Sequence, residues 1–391
     1  MRILSIHNAY QIRGGEDESC AAEERLLENH GHQVDRYTAT NDDIPSYSPL
    51  RLAAKTLWSQ TAYREVRVRL RSQPYDIVHV QNFFPLISPS VYYAAQAEGV
   101  PVVQTLRNYR LICPNGLFFR NGQVCEDCVG QAVPYAGIVH KCYRQSRPAS
   151  AMVTAMITTH RLLKTWDQQV NIFITLTQFA KQKLVEGGMP ADKIIVKPNF
   201  IDPDPGVGSG NGGFALYVGR LSVEKGLDTL IDAWKQLSTP YPLKIVGDGP
   251  LADLVRDAAQ ALPNIEWLGR RPIGEVHHLM GEASFLVFPS KWYETFGRVA
   301  VEAFAKGTPV VAAKIGAIAE LVETGKTGLH FEPGNPHSLA QQVQQLLDHP
   351  TQRFAMRHVA RQTYLERYTA TQNYTYISDI YDKVTFSQRS R

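Results

Sequence analysis

Several things are scarce in this chain of 391 residues. No apolar run reaches the length needed to span a bilayer, which excludes a transmembrane helix. The opening residues, Met1-Arg2-Ile3-Leu4-Ser5-Ile6-His7, read as a strand and lack the long apolar core of a signal peptide, so the expected location is the cytoplasm. There is no low-complexity segment and no short-period repeat. No basic patch interleaved with aromatics appears, and a net charge of +4 does not by itself argue for nucleic acid. Cysteine is rare too: five residues, all in the first half.

What is present suits a soluble enzyme, with 44% hydrophobic, 20% charged and 10% aromatic residues. The length allows two α/β domains with separate cores. In the first half, strand-like runs at 2–7, 32–37, 76–80, 100–106, 172–175 and 193–197 alternate with helical stretches at 17–30, 52–71, 88–98 and 178–186. Such alternation predicts a parallel sheet covered on both faces. Residues 202–213 are rich in Asp, Pro and Gly and read as a linker. The alternation then restarts, with strands at 214–218, 243–246, 265–268, 285–288, 310–312 and 328–331. Helices intervene at 227–237, 251–261, 273–281, 298–306 and 338–347, and two more close the chain near 352–368 and 371–385. The expected fold class is α/β, with two Rossmann-like domains and a cleft between them.

Two segments carry the chemistry. Glu294 and Glu302 flank seven residues, Thr295 to Val301, at the predicted opening of a helix. A helix N-terminus offers N–H groups and a positive dipole to hydroxyls or phosphate, and the two acids would lie about two helical turns apart. A solvated helix face is the plainer reading of such a pair taken alone. Some seventy residues earlier, Val218-Gly219-Arg220-Leu221-Ser222-Val223-Glu224-Lys225-Gly226 runs from a strand through a glycine turn into a helix. Two cations at the carboxyl end of a strand suit a diphosphate. Together the segments read as a nucleotide-sugar site.

These residues resemble the retaining glycosyltransferases of family 4, which have the GT-B fold. Further matches are the Gly14-Gly15 loop after the first strand, Val246-Gly247-Asp248-Gly249-Pro250, and Gly307-Thr308-Pro309-Val310-Val311. The resemblance implies an acceptor-binding domain at 1–200, a donor-binding domain at 201–370, and a C-terminal helix, 371–391, that crosses back onto the first domain. It implies transfer of a hexose-type sugar from a UDP- or GDP-linked donor to a glycan or lipid-linked glycan, with no catalytic metal. Arg220 and Lys225 would neutralise the diphosphate leaving group, Glu302 would take the ribose hydroxyls, and Glu294 a hydroxyl of the donor sugar. Backbone groups of Phe296, Gly297, Arg298 and Val299 would assist. Arg270 and Arg271 are candidates beside the base, Gly247 and Gly249 for a tight turn near the nucleotide, and Gly15 for a backbone contact to phosphate.

At one point the chain departs from its family. Where a histidine is usual after the strand 100–106, this sequence has Arg107. Arginine cannot trade a proton near neutral pH. Arg107 either keeps the histidine's hydrogen bond and adds charge stabilisation, or it marks a nucleotide-sugar-binding protein of little or no activity. A GT-B-like epimerase is a third reading. Asp202-Pro203-Asp204 has the D-x-D form of metal-dependent transferases but lies in the linker, and arginine and lysine already supply the metal's charge.

Cys113, Cys125, Cys128 and Cys142 cluster in a loop-rich insertion at 108–147, and Cys125-Glu-Asp-Cys128 has metal-ligand spacing. A structural zinc competes here with reduced, partly buried thiols. Cys20 reads as packing on the first helix and His79 as a core or loop histidine. Asn82-Phe83-Phe84-Pro85, at the end of its strand, is a candidate acceptor contact. Finally, Arg64, Arg67 and Arg71 share a helical face with Leu57 and Trp58 upstream, either a solvated face or a surface for peripheral attachment to an anionic bilayer.

Overall fold

The computed structural model describes residues 1–11 and 14–389 and divides into two compact units. Unit 1 comprises Met1–Phe118, Glu126–Pro198 and the segment from Asn373 on; unit 2 comprises Phe119–Cys125 and Asn199–Gln372.

Unit 1 is built on β1 (Arg2–Ala9), β2 (Gln33–Thr40), β3 (Ile77–Asn82) and β4 (Val102–Leu106). After a short antiparallel hairpin, β5 (Phe119–Arg120) and β6 (Gln123–Val124), come β7 (Ile172–Thr175) and β8 (Ile194–Val196). The sheet is parallel throughout, in the order β2-β1-β3-β4-β7-β8. Every residue of β3, β4 and β7 is buried, as expected for central strands covered on both faces. The last helix, Ala370–Arg389, supplies Ile377, Ile380, Tyr381 and Val384 to the core formed by Ile3, Ile77, Val103, Ile172 and Ile174.

The single helix predicted over 52–71 is two helices, Pro49–Leu57 and Gln60–Ser72. Trp58 is extended, and the Ser59 side chain accepts the Ala62 N–H as the cap of the second helix, which ends the first. Helix Arg147–Leu162, for which no prediction was made, opens on a Ser146 cap with proline in its first turn.

Unit 2 contains β9 (Ala215–Val218), β10 (Leu243–Val246), β11 (Ile265–Gly269), β12 (Phe285–Phe288), β13 (Val310–Ala313) and β14 (Gly328–Phe331). Its order is β11-β10-β9-β12-β13-β14, again all parallel. Strands grow outward on one side of β9 and restart on the other side at β12. In such sheets the loops leaving β9 and β12 diverge, opening a crevice at the carboxyl ends of the strands. The segment 202–213 is fastened to unit 2: Arg361 donates to both oxygens of Asp204, at 2.8 and 2.6 Å, and Arg357 Nη2 donates to the Gly208 carbonyl at 2.8 Å.

The core of unit 1 also holds a buried polar cluster. Lys197 Nζ donates to Glu23 Oε2 at 2.6 Å and to Asn373 Oδ1 at 3.0 Å. Gln81 Nε2 donates to Glu23 Oε1 at 2.7 Å, and the Arg107 guanidinium lies 4.0 Å from the same oxygen. His79 is a core histidine bridged between Tyr381 Oη at 2.7 Å and Thr105 Oγ1 at 2.8 Å. Burial pushes His79 down from 6.5 to about 4, against the opposing pull of Glu23. Burial would raise Glu23, yet the groups beside it, Lys197 foremost, then His79 and Arg107, hold it well below the usual carboxylate range.

Two outcomes follow from this core. Ile380→Ala removes buried methylenes beneath the sheet and should cost about 2–5 kcal/mol, read as a lower urea midpoint with an unchanged slope. Below pH 6.5 the unfolded chain binds protons that folded His79 refuses, so stability should fall as pH drops from 6.5 toward about 4. Glu23 extends the loss to lower pH in the same direction. The thermal midpoint against pH checks this: His79→Gln should flatten the upper part of the slope, and an unchanged slope in that variant refutes it.

Candidate functional site

The site in unit 2 grows from loops at the carboxyl ends of β9 and β12. After β9 the chain runs through Gly219 and Arg220 to a tight turn, Val223–Lys225, and then helix Leu227–Trp234. Gly226 joins them at φ +71°, and a Cβ there would lie 2.0 Å from the Pro289 carbonyl oxygen. The loop leaving β9 is thus pressed against the loop leaving β12, and only glycine permits the approach.

A second close approach secures the other side of the β9 loop. Gly219 N–H donates to Val246 O at 3.0 Å and Leu221 N–H to Asp248 O at 3.0 Å. A Cβ on Gly247 would fall 1.9 Å from the Gly219 oxygen. Gly247 and Gly249 therefore let the β10 loop pack against the segment that carries Arg220.

Between these walls Lys225 Nζ meets Glu294 Oε1 at 2.5 Å. The same oxygen accepts from Ser290 Oγ at 3.0 Å and from Trp292 Nε1 at 2.9 Å. Lys225 also lies over the Trp292 ring, 5.3 Å from its centroid. The Glu294 side chain is 10% exposed and that of Lys225 is 23% exposed, so the pair sits in a partly dry recess with an open edge. Attraction between such charges exceeds that of a surface pair, because less water screens it. The nearby Tyr217 hydroxyl is held far above its usual range, by burial first and then by Glu294 and Glu224.

Beyond Glu294 the buried Phe296 packs edge-on to Tyr368, with centroids 6.1 Å apart. Gly297, at φ +96°, starts helix Arg298–Ala305, and a Cβ on it would lie 2.2 Å from Ile318 Cδ1. The first turn, Arg298 to Ala300, directs backbone N–H groups toward the helix's N-terminal side, and no acidic residue lies in that turn to answer the dipole. Glu302, nearly buried on the same helix, accepts from Arg298 Nε at 2.9 Å.

The structure thus brings together Lys225, Glu294, Phe296, Gly297, Arg298, Val299 and Glu302 along one segment and the loop facing it. Arg220 projects exposed from the same loop as Lys225. Arg271 is exposed, just before helix Ile273–Glu282, and pairs with Glu275 in that helix's first turn at 3.6 Å. Ser290 and Trp292 had escaped sequence reasoning, although Trp292 stands two residues before Glu294.

In unit 1, Arg107 lines a small pocket of about 20 Å³ at the carboxyl ends of β3 and β4, with Tyr10, Glu16, Asn82, Phe84 and Asn108. Its Nη1 donates to Gln81 Oε1, which ties it to the buried cluster around Glu23. Burial raises the Glu16 carboxyl, with Arg107 opposing. Gly15 begins helix Gly15–Asn29 just after β1, where Asp17 accepts the Gly14 N–H at 3.0 Å.

Among the described residues no three Cys, His, Asp or Glu side chains come together as a metal site. Cys113 Sγ lies 3.1 Å from Asn115 Oδ1, and Cys128 Sγ lies 3.8 Å from Pro134 O. No disulfide joins any of the five cysteines, and Cys20 is buried on the first helix. The basic face expected from Arg64, Arg67 and Arg71 is also partly spent, since Arg67 and Arg71 both close on Glu98, at 2.6 and 3.0 Å. No helix among the described residues is long and apolar enough to cross a membrane.

Comparison with known proteins identifies the family. An uncharacterized glycosyltransferase of Methanocaldococcus jannaschii is 35% identical over 177 residues, covering 45% of this chain and 49% of that one. The D-rhamnosyltransferase WbpZ of Pseudomonas aeruginosa is 35% identical over 161 residues, covering 40% and 42%. The chain thus spans about half the length of the first of these relatives. A second uncharacterized glycosyltransferase of M. jannaschii is 25% identical over 374 residues and 86% of each chain. Among solved structures, HepE of Anabaena in complex with UDP superposes with a TM-score of 0.70 at 21% identity, covering 98% of this chain and 100% of that one. Sucrose-phosphate synthase of Thermosynechococcus elongatus gives 0.70 at 17%, covering 99% of each. The family model "Glycosyltransferase Family 4" matches residues 20–205 and "Glycosyl transferases group 1" matches residues 206–363. With the two models meeting end to end along 20–363, the chain belongs to the GT-B glycosyltransferases of group 1 and family 4.

Proposed function

We propose that this protein is a retaining hexosyltransferase that moves a sugar from a nucleotide diphosphate to a glycan or lipid-linked glycan, without a catalytic metal, in the cytoplasm. The observation that carries the reading is the contact between Lys225 and Glu294 at the carboxyl end of the unit 2 sheet, where strand order reverses.

A diphosphate entering there meets Arg220, Lys225 and the N-terminus of helix Arg298–Ala305. As the anomeric carbon–oxygen bond to phosphate breaks, the leaving group gains negative charge. Fixed cations then stabilise the transition state more than the bound donor. Glu294, which accepts from Ser290 and Trp292, would take a hydroxyl of the transferred sugar, and Glu302 the ribose hydroxyls. On the same-face route, the acceptor oxygen bonds to the anomeric carbon and its proton passes to the leaving phosphate oxygen. No side-chain base is then required, which suits Arg107, a residue that holds charge but not an exchangeable proton. Solved structures of HepE carry UDP and UDP-glucose, which supports a UDP-linked donor, with GDP as the other candidate.

Arg107 also motivates a second reading, a nucleotide-sugar-binding protein without transfer. The two separate cleanly. Under the first, Glu294→Ala and Lys225→Ala each lower nucleotide diphosphate release from UDP-sugars or GDP-sugars by about 10²-fold or more, while the unaltered protein turns over. Full turnover in both variants refutes the site. Under the second, the unaltered protein binds donor, raising its melting temperature, but releases nothing until Arg107→His is introduced.

A further inference from the structure

We infer that the small pocket of unit 1 receives a carboxylate carried on a sugar, through the guanidinium groups of Arg107 and Arg110. The inference rests on the proposed function for one step only, that the ligand of this pocket is a substrate of sugar transfer. It adds the chemical class of that sugar, of which a hexuronic acid is the plain case.

Arg107 follows β4 directly, and its side chain is 3% exposed. Its guanidinium is fixed from behind, where Nη1 donates to Gln81 Oε1 and Nη2 lies 4.0 Å from Glu23 Oε1. Glu23, however, already meets Lys197 at 2.6 Å. One buried carboxylate is thus shared between two buried cations, and His79 beside them is held neutral by burial. Excess charge in a dry core is costly unless an ion of opposite sign answers it. Because Arg107 also lines the pocket, an anion can answer it there.

Arg110 lines the same pocket and is half-buried. Its guanidinium stacks on the rings of Phe84 and Tyr143, 4.7 and 5.0 Å from their centroids. Phe84 is itself placed by its loop, where its N–H donates to Asn82 Oδ1 at 3.0 Å. Arg110 Nη1 donates to the Pro114 carbonyl at 2.6 Å, and among the described residues no carboxylate pairs with this side chain. The acid that lines the pocket, Glu16, offsets little of this charge. Its Oε2 accepts from Tyr10 Oη at 3.1 Å, and burial pushes the carboxyl toward its neutral form. Each guanidinium offers a planar fork of donors that matches the two oxygens of a carboxylate. A neutral hydroxyl would leave both charges unanswered. The void of about 20 Å³ has room for a water and little more, far less than a sugar ring needs. It suits a flat carboxylate at the rim of a ring better than a bulkier, tetrahedral phosphate.

The test reads binding and needs no turnover. Calorimetry on the full chain compares UDP-glucuronate and UDP-galacturonate with UDP-glucose and UDP-galactose. A second comparison, with UDP present, sets methyl glucuronide against methyl glucoside. Binding of the acidic member about tenfold tighter or more is expected in at least one comparison. Preference among the nucleotide sugars puts the carboxylate on the transferred sugar, and preference among the glycosides puts it on the acceptor. Arg110→Gln should shrink the preference several-fold while the affinity for UDP alone is kept. Should that variant fail to fold, Arg110→Lys, which keeps the charge but not the fork, is expected to shrink it to a smaller extent. No acidic preference in either comparison, a preference that these variants leave intact, or a 6-phosphorylated glucoside bound as tightly as the glucuronide overturns the inference. A uronate bound with this preference but never transferred leaves it standing while the catalytic reading falls. Transfer of neutral sugars without any acidic preference does the reverse.

Discussion

A cation and a carboxylate held together at the edge of a parallel sheet constrain most of what surrounds them in unit 2. Leaving either charge alone in that recess would cost the hydration it has given up, and their mutual attraction offsets the loss only at close range. The contact is made at 2.5 Å because two loops are forced together from opposite sides. Gly226 has no side chain to hold the Pro289 carbonyl away, and Gly247 has none to push off Gly219. Ser290 and Trp292 then add donors to the same carboxylate oxygen, which restricts Glu294 to one orientation. Charge, glycine and strand order are therefore one arrangement. The reversal at β9 and β12 supplies diverging loops, the glycines permit their approach, and the ion pair fixes its endpoint.

Unit 1 holds a charged cluster inside its core. Glu23 is nearly inaccessible and is shared by Lys197, Gln81 and, at longer range, Arg107. A buried carboxylate needs such partners, since breaking one contact would strand the rest without water. The last helix completes the cluster through Asn373 and Tyr381, so its docking is polar as well as apolar. Arg107 is thereby anchored from behind through Gln81 while it lines the small pocket in front. A histidine at this position would reach less far and would leave the Gln81 oxygen to find another donor.

The legible part of this protein was the part encoded locally. The order of most strands and helices, the glycine turn at Gly247 and Gly249, and the helix that opens after Gly297 follow from periodicity and short motifs, and the structure has them where the sequence puts them. The break at Trp58 and Ser59 was missed because the pattern of apolar residues runs on through it; only the serine cap marks the new start. Contacts between distant positions were invisible. Lys225 and Glu294 are 69 residues apart, and Lys197 and Glu23 are 174 apart, so no window of sequence contains either pair. Cysteine spacing is likewise a local signal: Cys125 and Cys128 have metal-ligand spacing, while Cys113 and Cys128 lie beside Asn115 and the Pro134 carbonyl.

The pairing of Lys225 with Glu294 bears on how a charged ligand would be received. Before any anion arrives, the ammonium is already paired with a carboxylate, so the recess does not hold a bare positive charge that would bind every phosphate in solution. A ligand that brings only a diphosphate must compete with Glu294 for the lysine. One that also brings a hydroxyl gives the carboxylate a new donor and keeps Lys225 in place between two anions. On the proposed reading the site would favour a sugar-bearing diphosphate over a free one, through the same close contact that keeps the loops together.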